Sequence, residues 1–157
     1  MRKKQHRVLW QALPRFSAGA AFLKYNHEIA VLPDDGFGFT FAMKTLSGGR
    51  IGIASQALGI AAGAYELARD YSKVRKAFGT EICNHQAIAF KLADMHTNIE
   101  AARLLVYKSA LDKDQGNNYD MSSAMAKVFA SQVAMEVTVE AVQVHGGNGY
   151  VKEYHVE

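Results

Sequence analysis

Proline occurs only at positions 14 and 33, so residues 34–157 run without the side chain that most strongly interrupts a helix. The chain also carries 24 alanines, the best helix former. With 157 residues, 49% of them hydrophobic, it is long enough for one globular domain with its own core. Together these features predict an all-α fold. A lone cysteine, Cys83, excludes an internal disulfide and a four-cysteine metal site. The net charge of +3 is too small to argue for nucleic acid or a membrane surface. No apolar run reaches the ~20 residues of a membrane crossing, so no transmembrane helix is expected.

Residues 1–33 form a separate, atypical segment. Arg2, Lys3, Lys4, Arg7, Arg15 and Lys24 precede the first acidic residue, Glu28. An Arg-rich, acid-poor start fits a mitochondrial transit peptide, although only Ser17 supplies the serine such segments favour. A basic arm for nucleic acid lacks any accompanying readout element. A start with no address is the third reading. Toward the end of the segment a short strand is expected to finish at Pro33, followed by a turn at Asp34, Asp35 and Gly36.

From Met43 the apolar period becomes helical. Ala54, Ala57, Leu58, Ala61, Tyr65, Ala68 and Tyr71 mark one face of a first helix, which Phe78 and Gly79 are expected to stop. Gly52, Gly59 and Gly63 within it point to close packing against a neighbour. Asn84 reads as the N-cap of a second helix with Ile88, Leu92, Met95, Ile99, Ala102, Val106 and Ala110 on its inner face. Gly116, Asn117 and Asn118 end it. Asp120 then caps a third helix whose predicted inner stripe is Ala124, Met125, Val128, Gln132, Met135, Val139 and Val142. Gly146, Gly147 and Gly149 close that helix. Three helices, each roughly 35–45 Å long and joined by short loops, predict an antiparallel bundle, with His155 opening an incomplete fourth.

Metal chemistry finds little support, because the six histidines show no HxxxH or Glu-x-x-His pairing. Cys83 has no neighbouring base, and no serine sits in a nucleophile elbow. Anion binding fares better. Arg75 and Lys76 sit at the end of the first helix, where they either complement its dipole or clamp a phosphate. Gln143, Val144, His145, Gly146 and Gly147 either stop a helix or let a phosphate approach backbone N–H groups.

Several motifs then fall into register with one family. Leu46 to Ala54 (LSGGRIGIA), Arg75 to Gly79 (RKAFG), His85 to Met95 (HQAIAFKLADM), Ala124 to Lys127 (AMAK) and Gln143 to Tyr150 (QVHGGNGY) resemble the C-terminal helical domain of acyl-CoA dehydrogenases, of short-chain or butyryl type. The resemblance covers about residues 35–157. It implies FAD as cofactor, oxidation of the α,β-bond of an acyl-CoA thioester, transfer of electrons to an electron-transfer flavoprotein, and a homotetramer. In that family a glutamate takes the α-proton, flavin N5 takes the β-hydride, and a neighbouring subunit holds the adenosine diphosphate half of FAD. By correspondence, Arg75, Lys76, Ala77, Phe78, His85, Gln86, Gln143, Val144, His145, Gly146 and Gly147 are cofactor-contact positions. Ser47, Gly48, Gly49 and Arg50 correspond to the segment beside the acyl-CoA.

The departures shape the expected activity. The family's Tyr-Glu-Gly-Thr motif is absent from these residues, so its catalytic glutamate is expected beyond Glu157. The alternative base position of a minority of members is Gly49 here. Residues 1–33 do not match the sequence that normally precedes the domain. A truncated product is therefore expected, an acyl-CoA dehydrogenase fragment inactive alone, in the bacterial cytoplasm or the mitochondrial matrix. The competing reading is a non-enzymatic helical interaction or oligomerisation module.

Overall fold

The structure, a computed structural model, describes residues 37–156. The expected strand at Pro33 and the 1–33 segment lie outside them. The chain divides into two compact units, 1–44 and 45–157, and the packing below concerns the second.

Three long helices account for nearly all of it: α1 (Phe37–Val74), α2 (Gln86–Asp114) and α3 (Asp120–His145). Their 38, 29 and 26 residues correspond to about 57, 44 and 39 Å. The all-α expectation holds. Between α1 and α2 stands a two-stranded antiparallel hairpin, β1 (Lys76–Ala77) and β2 (Thr80–Glu81), then a 3-10 turn, Ile82–Asn84. Two more 3-10 turns, Gly146–Tyr150 and Lys152–Tyr154, follow α3.

Side-chain pairs give the helix directions. Lys91 pairs with Glu140 at one end of α2 and α3, and at the other the Ser122 hydroxyl, ahead of Lys108, holds the Asp112 carboxyl below its ordinary range, so these two run antiparallel. Tyr65 stacks on His96 at 5.3 Å, which with Lys113 beside Gly48 makes α1 antiparallel to α2. Ser47 bonds Asp120, and Tyr71 stacks on His145 at 4.3 Å, so α1 runs parallel to α3.

The core joins Ala54, Ala61 and Ala68 of α1, Met95, Ile99, Ala102 and Val106 of α2, and Ala126, Ala130, Val133, Val137, Ala141 and Val144 of α3. The predicted faces of α1 and α2 are the buried ones. The predicted inner stripe of α3 is not. Met125, Val128, Met135 and Val139 are all at least half exposed. Small residues at 126, 130 and 141 let α3 approach its neighbours closely, and the larger apolar side chains point outward. Alanines also carry the close packing of α1. Added Cβ atoms at Gly52, Gly59 and Gly63 would meet open space.

Helix limits differ from expectation in physically simple ways. α1 is already helical at Phe37 and ends at Val74, four residues before Phe78. Phe78 and Gly79, with φ of 52° and 86°, form the two-residue turn of the hairpin instead of a helix cap. Asn84 does not cap α2; His85 holds that place, and the Asn84 amide donates to Thr80 Oγ1 at 2.9 Å. Asp120 is the first residue of α3, not its cap; its N–H donates to Asn118 Oδ1 at 3.0 Å. His155 has φ 52° and opens no helix.

By length and composition alone, Gly38–Val74 suffices to cross a membrane, which corrects the expectation that no segment would. Ala54, Ala61 and Ala68 of this helix are fully buried in the core, while Ile53, Ile60 and several of its other apolar side chains are exposed.

Candidate nucleotide-binding cavity

Where α1 ends, α2 begins and α3 ends, the three termini border an open cavity of about 530 Å³. The turn from α1 to α2 contributes Arg75, Ala77, Phe78, Ile82, His85 and Ile88, and the end of α3 contributes Val144, His145, Gly146, Gly147 and Asn148. Tyr71 completes the lining from α1. Two sequence segments some 70 residues apart thus meet.

Eight of the eleven expected cofactor positions line this cavity: Arg75, Ala77, Phe78, His85, Val144, His145, Gly146 and Gly147. Lys76, Gln86 and Gln143 flank it without lining it. Lys76 sits opposite Glu81 in the hairpin, with 3.3 Å between ammonium and carboxylate. Glu81's own backbone N–H, and then Lys76, hold that carboxyl below the ordinary glutamate range. Lys76 is therefore paired within the hairpin. Arg75 is exposed and makes no ion pair among the described residues, so its guanidinium is the cavity's available cation.

The α3 end is held by identifiable contacts. His145 is buried, its Nδ1–H donates to Ala141 O at 2.8 Å, and its ring is stacked on Tyr71. Asn148 Nδ2 donates to the Tyr71 hydroxyl at 2.9 Å, tying the glycine turn to α1. Sequence reasoning missed Tyr71 and Asn148 as site residues; a contact across 77 positions leaves no local pattern.

One expectation about the glycines changes. The N–H of Gly146 turns back onto the Gln143 and Val142 carbonyls, capping α3, and is not a free anion donor there. What Gly146 and Gly147 supply is space, since a Cβ at either would meet nothing within 4 Å. The positive end comes from α2, whose first turn has no side-chain cap and opens at His85 beside the cavity.

The expected acyl-CoA segment lies elsewhere. Ser47 is buried and donates to Asp120 Oδ1 at 2.6 Å, and Arg50 Nη1 reaches Ser47 Oγ at 3.4 Å. Gly48 faces the Lys113 ammonium, and Gly49 is exposed with open space beside it. Ser47 and Tyr71 are 24 residues apart on one helix, about 36 Å.

Residues 36–157 match the family described as acyl-CoA dehydrogenase, C-terminal domain. The chain belongs to the acyl-CoA dehydrogenase family. A short-chain specific acyl-CoA dehydrogenase of Megasphaera elsdenii is 56% identical over 126 residues, 80% of this chain and 33% of that protein. The caffeyl-CoA reductase–Etf complex subunit CarC of Acetobacterium woodii is 52% identical, across 76% of this chain and 32% of its own. The solved butyryl-CoA dehydrogenase of Megasphaera elsdenii superposes with a TM-score of 0.77 at 56% identity, again over 80% of this chain and 33% of the other. Relatives include bacterial and mitochondrial enzymes. The chain spans about a third of the length of the family members it matches.

Proposed function

We propose that this chain is the C-terminal helical part of a short-chain acyl-CoA dehydrogenase, and that its cavity takes the adenosine diphosphate half of FAD. One observation carries the reading. An unpaired arginine, an uncapped helix N-terminus and an open glycine turn converge on a single cavity. A diphosphate needs a bidentate cation and oriented N–H groups, and its ribose needs close backbone approach; the residues present fit those demands. Arg75 holds the phosphates, Gly146 and Gly147 admit the ribose, and Lys76, Gln86 and Gln143 serve from the flanks. FAD, when bound, supplies the hydride acceptor for α,β-oxidation of a short acyl-CoA, with an electron-transfer flavoprotein as the onward partner.

The segment 47–50 lies beside the acyl-CoA at the far end of α1. At about 36 Å from the cavity, it and the diphosphate contacts belong to different active sites, which favours a homo-oligomer in which subunits complete one another. The fragment alone is inactive, since Gly49 offers no base and two thirds of the relatives' length is not matched. Its compartment is the bacterial cytoplasm or the mitochondrial matrix. Calorimetric titration tests the proposal. ADP binds and riboflavin does not; riboflavin binding with ADP indifferent contradicts it.

A second reading, a non-enzymatic oligomerisation module, draws on the exposed apolar stripe of α3. It requires that neither nucleotide nor flavin bind.

A further inference from the structure

The hairpin that presents Arg75 cannot hold itself in place. Its strands have two residues each, and an isolated hairpin is marginal in water even when longer. Its turn adds a cost, because Phe78 has φ 52°, a region that bulky side chains disfavour, and its ring is almost fully exposed. At the base of the hairpin the Ile82 N–H donates to Arg75 O at 2.9 Å. Nearer the turn, His85 Nε2 lies 3.1 Å from Ala77 O. A carbonyl only accepts, so Nε2 carries the proton and donates it. His85 is itself anchored, as the first flanking residue of α2, by its N–H bond to Ile82 O at 3.1 Å. Its ring meets the edge of Phe78 with 6.0 Å between centroids.

We propose that His85 is the positioning residue of the cavity: by donating Nε2–H to Ala77 O it ties β1 to the start of α2 and holds Arg75 on the cavity, without itself touching the phosphates. The inference rests on the nucleotide reading above, and it changes the role of His85 from ligand contact to support. It makes a chemical distinction among replacements. A glutamine amide nitrogen reaches about as far as Nε2, an asparagine nitrogen only about as far as Nδ1.

The test uses the full chain as wild type, His85→Ala, His85→Gln and His85→Asn, with circular dichroism confirming helix content. Amide exchange at Ile82 should accelerate about tenfold in the alanine and asparagine variants and return to within about twofold of wild type with glutamine. ADP affinity should follow the same order, falling about three- to tenfold without the donor, the range for one lost hydrogen bond. The imidazole nitrogens of the wild type should show Nε2 protonated and Nδ1 bare. Unchanged Ile82 exchange in His85→Ala overturns the proposal, as does a glutamine variant no better than asparagine or the opposite tautomer. Absence of ADP binding by the wild type refutes the nucleotide reading instead, and the exchange series still decides the role of His85.

Discussion

Adding a methyl group at Gly149 and at Gly52 has opposite expected effects. A Cβ at Gly149, which is buried, would stand 2.7 Å from Val142 O and 2.9 Å from Val142 Cγ1. Backbone cannot yield there cheaply, so Gly149→Ala should cost roughly 1–3 kcal/mol, the usual range for overpacking. Gly52 is exposed in the middle of α1 with open space around it. Replacing it with alanine removes a helix penalty, and Gly52→Ala should gain about 0.5–1 kcal/mol. Urea unfolding midpoints measure both, and equal effects of one sign would refute these two environments. Arg75 and the glycine turn were legible as candidates for anion binding because each residue type has a local reason to suit it. Which cation stays available was not, because it depends on Lys76 facing Glu81 across a hairpin.

At the scale of elements, α3 is the instructive case. Helical spacing from Ala124 selects Met125, Val128, Met135 and Val139 as its inner face, yet the core is built from Ala126, Ala130, Val133, Val137 and Ala141. A helix apolar on two sides has no single stripe for periodicity to find. On α1 and α2 the chosen stripes coincide with the buried faces, although both helices also expose apolar side chains such as Ile53, Ile60, Leu104 and Leu111. The hairpin was invisible for a different reason: two-residue strands carry no period, and Arg75 and Lys76 are good helix formers. The stops at Gly116 and Gly146 were readable, since φ of 73° and 59° suits glycine. The reassigned face of α3 makes a direct prediction. Ala130→Leu should cost about 1–3 kcal/mol, whereas Met135→Lys should change stability by no more than about 0.5 kcal/mol. Thermal unfolding checks the pair, and the reverse order would restore the outer stripe as the core.

At the scale of the whole molecule, the outer stripe of α3 and the separation of the two segments argue alike for assembly. Met121, Met125, Val128, Met135 and Val139 form a row of exposed apolar side chains on one helix. Such rows mark interfaces when left uncovered. The weight-average mass in sedimentation equilibrium should rise above the 17.2 kDa monomer with concentration. Met135→Lys should lower that association, and a strictly monomeric wild type would contradict it. The central claim is that the cavity between the helix ends holds a nucleoside diphosphate through Arg75. Its most direct measurement is ADP affinity by calorimetry for wild type, Arg75→Ala and Lys73→Ala, the last removing an equal charge from exposed α1 surface, where Lys73 lies 3.8 Å from Asp70. Arg75→Ala should weaken ADP about tenfold, or ~1.4 kcal/mol, with Lys73→Ala close to wild type. Equal affinity for wild type and Arg75→Ala, or equal losses in both variants, would contradict it.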